Sequence, residues 1–392
     1  MPFSPVAAAL VLAALALPLS IAASNVALAL LAAALLARAG SAGGRIAAAW
    51  RREPALGALF LYAAAGLTAA ALSSAPGTSL HDAAKDIHRI WSLGLFVAGL
   101  AVEPGAPVLE ALAVSLAAAA TIGGGQSIFG GLQHGMMVRA HAFVHPVVFG
   151  EQMTLAALGA AAFLLRPDEL SPRARRWAAI FGALTFAALV LSQTRMCVFA
   201  AAAGFFVVAL LEPRARRWFV PLLVILAIVA LTWEFLPNGG RSLSAVVKTG
   251  AAGPQQDRFA LWDAAWRMFR DHPATGVGPS GYHRYFSTYH PGILDGETDW
   301  GSAHNLYLHQ LAERGILGAA ALLLLLATLS WRCTRAALRS TDARALWSSA
   351  SIAAFLVMCM TETSFQNEQF ASLLLLVFAL GTNRLRTSGE NL

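Results

Sequence analysis

Apolar runs long enough to cross a lipid bilayer recur about twelve times along the 392-residue chain. Hydrophobic residues make up 57% of the sequence and charged residues only 12%, about half the charged fraction of a typical soluble domain. Such a chain cannot cover a water-facing surface, so the sequence predicts one all-α membrane-embedded bundle over residues 1–392. The predicted spans are 5–22, 24–38, 55–73, 87–102, 107–123, 146–165, 177–193, 196–211, 218–236, 304–331, 345–361 and 368–383.

Compact arginine clusters beside the span ends determine the predicted orientation. Basic residues concentrate in cytoplasmic loops, so the side that carries these clusters is predicted to face the cytoplasm. Both termini then lie in the cytoplasm, which suits an even number of spans. The clusters are Arg38, Arg45, Arg51 and Arg52, then Arg166, Arg173, Arg175 and Arg176, then Arg214, Arg216 and Arg217, then Arg332, Arg335, Arg339 and Arg344, and finally Arg384 and Arg386.

The opposite side carries isolated basic residues and every histidine of the chain. Because histidine changes charge near neutral pH, this distribution indicates chemistry or anion binding on the outer face, although outer loops are also simply more polar. The net charge of +7 follows from the topology rule and does not indicate nucleic-acid binding. The three cysteines lack the paired spacing of a metal site or a disulfide framework. The histidines are His81, His88, His134, His141, His145, His272, His283, His290, His304 and His309.

Residues 237–303 are predicted to form one large outer loop inserted between two spans. Within it Phe259, Trp262, Trp266 and Phe269 recur at helical spacing. This pattern predicts an amphipathic helix whose aromatic stripe lies on the membrane surface or packs on the outer end of the bundle.

The end of this loop leads into the next long span. Gly276 and Gly278 form a GxG pattern, which we interpret as a pair of turn formers because no nucleotide-binding strand and helix flank it. Ser302 is predicted to cap the following helix, whose free N–H groups would favour a phosphate. His304 then lies at the membrane edge, where a histidine serves either a structural or a catalytic role.

The residues from His304 onward resemble the signature of the O-antigen ligase and polymerase superfamily. That signature is His, then Asn, Ser or Gln, nine residues, Gly, two residues and Gly, and its fixed positions are filled here by His304, Asn305, Gly315 and Gly318. Other segments are also similar to the family: the run 257–262, the His-Pro and Gly-Val-Gly turn at 272–278, the run 192–195, and Arg139 ahead of His145-Pro146.

The resemblance implies a GT-C-like membrane fold and a glycosyltransferase. It implies a ligase that transfers O-antigen polysaccharide from undecaprenyl diphosphate to the lipid A–core oligosaccharide. The reaction would occur on the periplasmic face of the bacterial inner membrane, with inversion and without a metal or other cofactor. A ligase is predicted because one large outer loop closes on the His motif. An O-antigen polymerase is the alternative, whereas family members that glycosylate proteins usually carry a larger periplasmic segment after the last spans.

Three arginines are the predicted ligands of the donor's diphosphate, namely Arg195, Arg258 and Arg139. Their guanidinium groups fit phosphate oxygens and would stabilise the charge that develops when the sugar–phosphate bond breaks. His304 is the predicted catalytic residue, acting either as the general base on the acceptor hydroxyl or as a further diphosphate ligand.

Lys85, Arg89 and Asn305 are predicted as possible substrate-binding residues. Lys85 and Arg89 are four positions apart on one helix face, where they would bind phosphates or anchor the helix at lipid headgroups. No metal site is predicted, because the nearest acidic cluster is interpreted as a solvated loop. That cluster consists of Asp295, Glu297 and Asp299.

Two rival functions remain from the residues alone. A transporter or flippase would also have about twelve spans, but it would usually show internal repeats and charged or broken segments at the bilayer midplane. A cell-wall glycan polymerase of similar topology would need an acidic residue in a large outer loop, a role that Asp257 or Asp263 would take.

Overall fold

The computed structural model describes residues 4–134, 138–166, 170–235, 254–292, 294 and 299–387, and over these ranges the chain is helical without a β-strand. Two short 3-10 helices, Pro213–Ala215 and Ser364–Gln366, accompany the α-helices. The α-helices are α1 (Pro5–Ala16), α2 (Ile21–Ala37), α3 (Ala39–Arg51), α4 (Pro54–Ala71), α5 (Pro76–Ala83), α6 (Lys85–Val102), α7 (Val108–His134), α8 (Pro146–Leu165), α9 (Pro172–Leu191), α10 (Arg195–Leu211), α11 (Arg216–Phe235), α12 (Pro254–Asp271), α13 (Gly281–Tyr289), α14 (Leu306–Arg339), α15 (Ala343–Met358) and α16 (Glu368–Thr387).

Five helices in the described part of the chain are long and apolar enough to cross a membrane: α4, α7, α8, α9 and α14. Helices α2 and α3, which meet at an angle of 113°, raise this number to six if they are one broken span. Four shorter apolar helices, α1, α10, α15 and α16, add to the bundle. Each predicted span overlaps a helix, so the all-helical fold is confirmed, and it is consistent with a polytopic membrane protein. Twelve crossings and the GT-C relationship stay predictions.

Several helices begin at a polar residue followed by proline. Ser4, His145 and Ser171 each accept a hydrogen bond from a backbone N–H of the first helical turn through their side chains. The proline that follows each of them has no N–H to leave unpaired and has the backbone angle of a helix. This local chemistry explains why α8 begins at Pro146, directly after His145, at one end of the bundle.

The core of the bundle is built around α16. Every residue from Gln369 to Asn383 is buried, as expected of a helix that is apolar on all sides. Helix α15 packs against α8, α10, α14 and α16, and α6 packs against α16 on the other side. Large apolar side chains such as Phe60, Trp177 and Val220 are exposed on the outer helices, where a lipid bilayer would cover them.

The bundle has two polar ends. Helices α8, α10 and α14 all begin at the end that holds His145 and Arg195, which we call the site end. At the opposite end the Arg166 guanidinium donates to the backbone oxygens of Ser340 (2.8 Å) and Ala337 (3.2 Å), so it binds the carboxyl end of α14. Each end is therefore fixed by its own polar contacts.

Helix α12 packs on the bundle by a face other than the predicted one. Its buried residues are Leu261, Ala264, Ala265 and Met268, which contact α14. Within the predicted aromatic stripe, Phe259 and Trp266 are exposed, while Trp262 and Phe269 are half-buried. The small alanines allow the two helix backbones to approach closely, and the large rings stay at the edge of that contact. An amphipathic helix is confirmed here. The aromatic stripe is not the face that packs on the bundle, and its alternative place on the membrane surface stays a prediction.

A break in α14 joins this helix to the loop that precedes α13. Gly315 has φ 59° and ψ −157°, which interrupts the helix. The freed carbonyls of Ala312 and Glu313 accept hydrogen bonds from the N–H groups of Val277 and Gly278, each at 2.9 Å. A Cβ on Gly315 would lie 2.4 Å from the backbone of the loop. Gly315, the first glycine of the His304 signature, is therefore required for this contact between the backbones of α14 and the loop, which we call the interlock.

Gly276 and Gly278 on the loop side of this interlock have positive φ values of 65° and 92°. Their interpretation as turn formers is confirmed, because L-residues with side chains rarely adopt such angles.

Candidate functional site

His304 lies in a short connection just ahead of α14. Its φ of 44° is in the left-handed region, which is uncommon for a residue with a side chain and marks local strain. Asn305 follows and caps α14, accepting a hydrogen bond from the Leu308 N–H (3.1 Å) and donating to the backbone oxygen of Met360 (3.0 Å). The prediction that Ser302 caps this helix was wrong, because the chain turns at His304 before the helix begins.

The imidazole of His304 contacts a carboxylate from the opposite connection. Its Nδ1 lies 3.1 Å from Oε2 of Glu362, in the segment between α15 and α16. The other oxygen of the same carboxylate, Oε1, accepts a hydrogen bond from Arg258 at 3.1 Å. Glu362 therefore joins His304 to α12, and the three side chains form what we call the His304 cluster.

This arrangement determines which ring nitrogen of His304 is available for chemistry. A carboxylate only accepts, so Nδ1 carries the hydrogen and donates it to Glu362. Nε2 is then the nitrogen that can take up a proton. The Trp300 ring packs edge-on against the imidazole with a centroid separation of 5.9 Å, and about a third of the His304 side chain remains exposed. The cluster is thus held in place and open to a substrate.

His309, one turn inside α14, supports the connection that presents His304. Its Nδ1 accepts a hydrogen bond from the Ala303 N–H (3.5 Å), and its Nε2 lies 3.3 Å from Oε2 of Glu313. Oε1 of Glu313 in turn accepts from the N–H of Tyr282 at the start of α13 (3.3 Å). This buried chain of contacts ties the backbone beside His304 to the start of α13.

Two of the predicted diphosphate arginines lie together at the start of α10. The Arg139 guanidinium donates to the backbone oxygen of Ser192 (3.0 Å) and to Oγ1 of Thr194 (2.9 Å). Arg195 is the next residue and the first of α10. We call Arg139, Thr194 and Arg195 the Arg139 cluster.

Residues of both clusters influence the pKa of His145. Partial burial lowers its pKa, the Arg139 charge lowers it further, and His304 adds to this, while Glu362 opposes the shift. All three of these neighbours come from the two clusters, so the clusters act on one common region of the site end. Because its pKa is lowered, His145 is uncharged at neutral pH.

The remaining predicted substrate-binding residues differ in exposure. Lys85 has a side chain that is 54% exposed and forms an ion pair with Asp82. Arg89 is buried, with its guanidinium donating to Asp86 (2.6 Å) and to the backbone oxygen of Phe365 (2.6 Å). Arg89 therefore holds the segment that carries Glu362, and both residues stay predictions as substrate ligands.

Glu362 was missed by the analysis of the sequence. It is separated from His304 by 58 positions, so no local motif joins the two. One signal was available: Glu362 is a carboxylate directly after the predicted span 345–361, on the side that also holds the histidines. An acidic residue at the edge of a membrane span is costly to keep, so its presence there indicates a functional role.

The acidic residues considered for a metal site or for a glycan polymerase are not part of the His304 cluster. Asp299 pairs with His283 at 3.2 Å, and Asp263 forms an exposed pair with Arg267 at 2.7 Å. Asp295, Glu297 and the side chain of Asp257 lie outside the described residues. Among the side chains that the structure describes, no group of three or more His, Cys, Asp or Glu is arranged to hold a metal ion.

Comparison with known proteins gives one match. Residues 180–323 match a family model described as O-antigen ligase. The matched segment holds Arg195, Arg258 and His304, but it leaves out Arg139 and Glu362. No curated protein matches the sequence. The matched segment contains the His304 signature, and this match supports the assignment of the chain to the O-antigen ligase and polymerase superfamily.

Proposed function

We propose that this protein is an O-antigen ligase that transfers O-antigen polysaccharide from undecaprenyl diphosphate to the lipid A–core oligosaccharide. The observation that carries the proposal is the His304 cluster, in which Glu362 orients His304 and pairs with Arg258 at 3.1 Å. The family match supports a role in O-antigen assembly. A base and a group of cations at one end of a membrane bundle suit a donor whose lipid stays in the bilayer.

In the proposed reaction His304 acts as the general base. An acceptor hydroxyl attacks the anomeric carbon of the donor sugar, and its proton passes to Nε2 of His304. The new carbon–oxygen bond forms as the bond to the diphosphate breaks, and attack opposite the leaving group inverts the anomeric centre. Glu362 then stabilises the imidazolium through its hydrogen bond to Nδ1.

Arginine side chains would stabilise the departing lipid diphosphate. Arg195, Arg258 and Arg139 supply fixed positive charge for this purpose, and the N-terminal end of α14 adds partial positive charge behind His304. Arg258 is about one-third exposed, so its guanidinium is accessible to a phosphate while it pairs with Glu362. No cofactor is needed in this scheme. The active site would face the periplasm of the inner membrane, with both termini in the cytoplasm.

An O-antigen polymerase is the second candidate function. It would use the same base and the same cations, with a second lipid-linked glycan as the acceptor, and the family match applies equally to both enzymes. The predicted large outer loop at 237–303, which leads directly to His304, favours the ligase.

The lipopolysaccharide ladder of a strain that lacks its own ligase tests the proposal. Complementation with the wild-type chain should restore long bands on lipid A–core. The His304→Ala variant should lose the ladder while its membrane level stays normal, because general acid–base catalysis typically contributes about 10²–10⁴-fold in rate.

Two outcomes would count against the ligase. A normal ladder from His304→Ala would refute the role of this residue. Accumulation of lipid-linked polymer without a ladder from the well-expressed wild-type chain, in a strain with a matching core, would favour the polymerase.

A further inference from the structure

A polar cavity is lined in part by the two connections that carry His304 and Glu362. Its volume is about 160 Å³, and ten of its twelve lining residues carry polar side chains. By contrast, two of the larger cavities among the described helices, of about 510 and 880 Å³, are lined mainly by apolar residues. A polar lining favours polar contents, and this volume holds roughly five water molecules or one sugar ring.

The charges around this cavity are already balanced by one another. Asp86 accepts hydrogen bonds from both Arg89 and Arg314, each at 2.6 Å, and Lys85 pairs with Asp82. The six charged side chains other than histidine in the lining are three acids and three bases, so no net positive charge remains for a diphosphate. A neutral ligand that both donates and accepts hydrogen bonds fits this lining, and sugar hydroxyls do both.

One buried donor in the lining lacks a protein partner. The Nε of Arg314 has no hydrogen bond, although this side chain is only about 5% exposed. Its guanidinium is fixed by Asp86 and by the Tyr62 ring, whose centroid lies 4.6 Å away. Arg314 therefore contributes a guanidinium that is already held in place to the lining of the cavity.

The cavity is close to the proposed reaction centre. Gly301 lines it and precedes His304 by three positions, while Gln366 lines it and follows Glu362 by four positions. Three residues span at most about 11 Å and four at most about 14 Å, so the cavity lies within the length of a short oligosaccharide from the His304 cluster.

We infer that this cavity is a saccharide subsite that binds one neutral sugar ring of a substrate glycan. The inference rests on the proposed function, since it assigns this ring to the donor glycan or to the acceptor oligosaccharide of that reaction. Lys85 and Asp82 at the exposed edge contact the ring hydroxyls, and the buried Arg89, Asp86 and Arg314 form the floor.

The test is a double variant that removes one ion pair without leaving an unpaired charge. Asp82→Asn with Lys85→Met alters the exposed edge of the cavity. The control is Asp263→Asn with Arg267→Met, which removes an exposed ion pair within α12. Steady-state transfer is measured with the donor varied at a fixed lipid A–core concentration, and then with lipid A–core varied at a fixed donor concentration.

We expect the cavity variant to raise the KM of one substrate about tenfold or more, with kcat and the melting temperature unchanged, because hydrogen bonds to charged groups are strong. A higher KM for lipid A–core assigns the ring to the acceptor, and a higher KM for the donor assigns it to the donor glycan. Unchanged KM values for both substrates would overturn the inference.

A binding measurement separates this inference from the proposed function. The probes are the delipidated core oligosaccharide and the delipidated O-antigen of the host strain, observed by saturation-transfer NMR on the detergent-solubilised chain. Ring-proton signals with the wild type and the control, lost in the cavity variant, would support the subsite even if no transfer occurs. Absence of signal from both probes with the wild type would refute it, even if transfer is normal.

Discussion

Glu362 connects a histidine and an arginine that have different proposed tasks. One oxygen faces Nδ1 of His304 and the other accepts from Arg258, both at 3.1 Å. When His304 takes up a proton, the first contact becomes an ion pair and strengthens. When a diphosphate binds Arg258, the second contact competes with it. Glu362 is therefore a positioning residue whose main effect falls on turnover.

Substitution of Glu362 by glutamine tests this role. Glutamine keeps the size of the side chain and one of its two acceptor oxygens, but it replaces the other oxygen with a donor and removes the charge that stabilises the imidazolium. We expect Glu362→Gln to lower kcat by about 100-fold, within the range of acid–base contributions, with little change in the donor KM or in the melting temperature. Glu362→Asp should restore part of the rate. A wild-type kcat for Glu362→Gln would remove Glu362 from the mechanism.

His309 allows a finer test, because asparagine and glutamine each replace one of its ring nitrogens. The amide of asparagine takes the place of Nδ1 and can still accept from the Ala303 N–H, whereas glutamine takes the place of Nε2 beside Glu313. A buried N–H without a partner costs about 1–3 kcal/mol. We expect His309→Gln to have a kcat about tenfold below that of His309→Asn. Equal rates would mean that the bond to Ala303 does not position His304.

The helices around the site depend on glycine at the break in α14. Gly315 interrupts the helix, and the freed carbonyls of α14 accept hydrogen bonds from the loop before α13. That loop connects α12 to α13 and contributes to the lining of the proposed cavity. Gly318 is the second glycine of the signature, and a Cβ there would lie 2.1 Å from Cβ of Arg314. Both glycines are therefore explained by close packing.

Alanine at position 315 should destabilise the whole site end. Its Cβ would overlap the backbone of Ala274, and its φ of 59° is unfavourable, which alone costs about 1–3 kcal/mol. Gly57→Ala in α4 is the control, because its Cβ would meet no atom within 4 Å and alanine favours a helix by about 0.5–1 kcal/mol. Thermal unfolding in detergent should show a lower melting temperature for Gly315→Ala and an equal or higher one for Gly57→Ala. A wild-type melting temperature for Gly315→Ala would contradict the interlock.

The helices themselves could be predicted from hydropathy, whereas their contacts could not. The predicted span 146–165 matches α8 residue for residue, because a proline and an arginine mark its ends. The first predicted span, 5–22, was too long, since α1 ends at Ala16. The face of α12 that packs on α14 could not be chosen from the sequence, because the size of Ala264 and Ala265 matters more for close packing than the hydrophobicity of the aromatic residues.

Within the site, the sequence indicated single residues more readily than their pairing. His304 was identifiable from its signature, Arg195 from its place at a span end, and Arg139 from its resemblance to a family arginine ahead of His145-Pro146. The contact of His304 with Glu362 depends on how α14, α15 and α16 pack, which no local pattern encodes. The backbone turn at His304 was also unpredictable, because Ser302 and Asn305 are equally good caps by residue type.

The molecule as a whole has a chemically different character at each end. The site end gathers histidines and the carboxylate of Glu362, while the opposite end holds Arg166 on the carboxyl end of α14 and Arg45 on the carboxyl end of α6, where its guanidinium donates to Val102 at 3.3 Å. Arginine clusters mark the cytoplasmic side of membrane proteins. The proposed orientation therefore places the His304 cluster outside.

Cysteine labelling in intact cells tests this orientation. The native cysteines Cys197, Cys333 and Cys359 are at most 1% exposed, so the wild-type chain should react slowly with a membrane-impermeant maleimide. Gly77 at the site end and Gly44 at the opposite end are exposed, and a Cβ at either meets no atom within 4 Å. We expect Gly77→Cys to be labelled once the outer membrane is permeabilised, and Gly44→Cys only after the inner membrane is broken. The reverse pattern would place the His304 cluster in the cytoplasm, where an acceptor on the periplasmic face would be out of reach and the ligase proposal would fail.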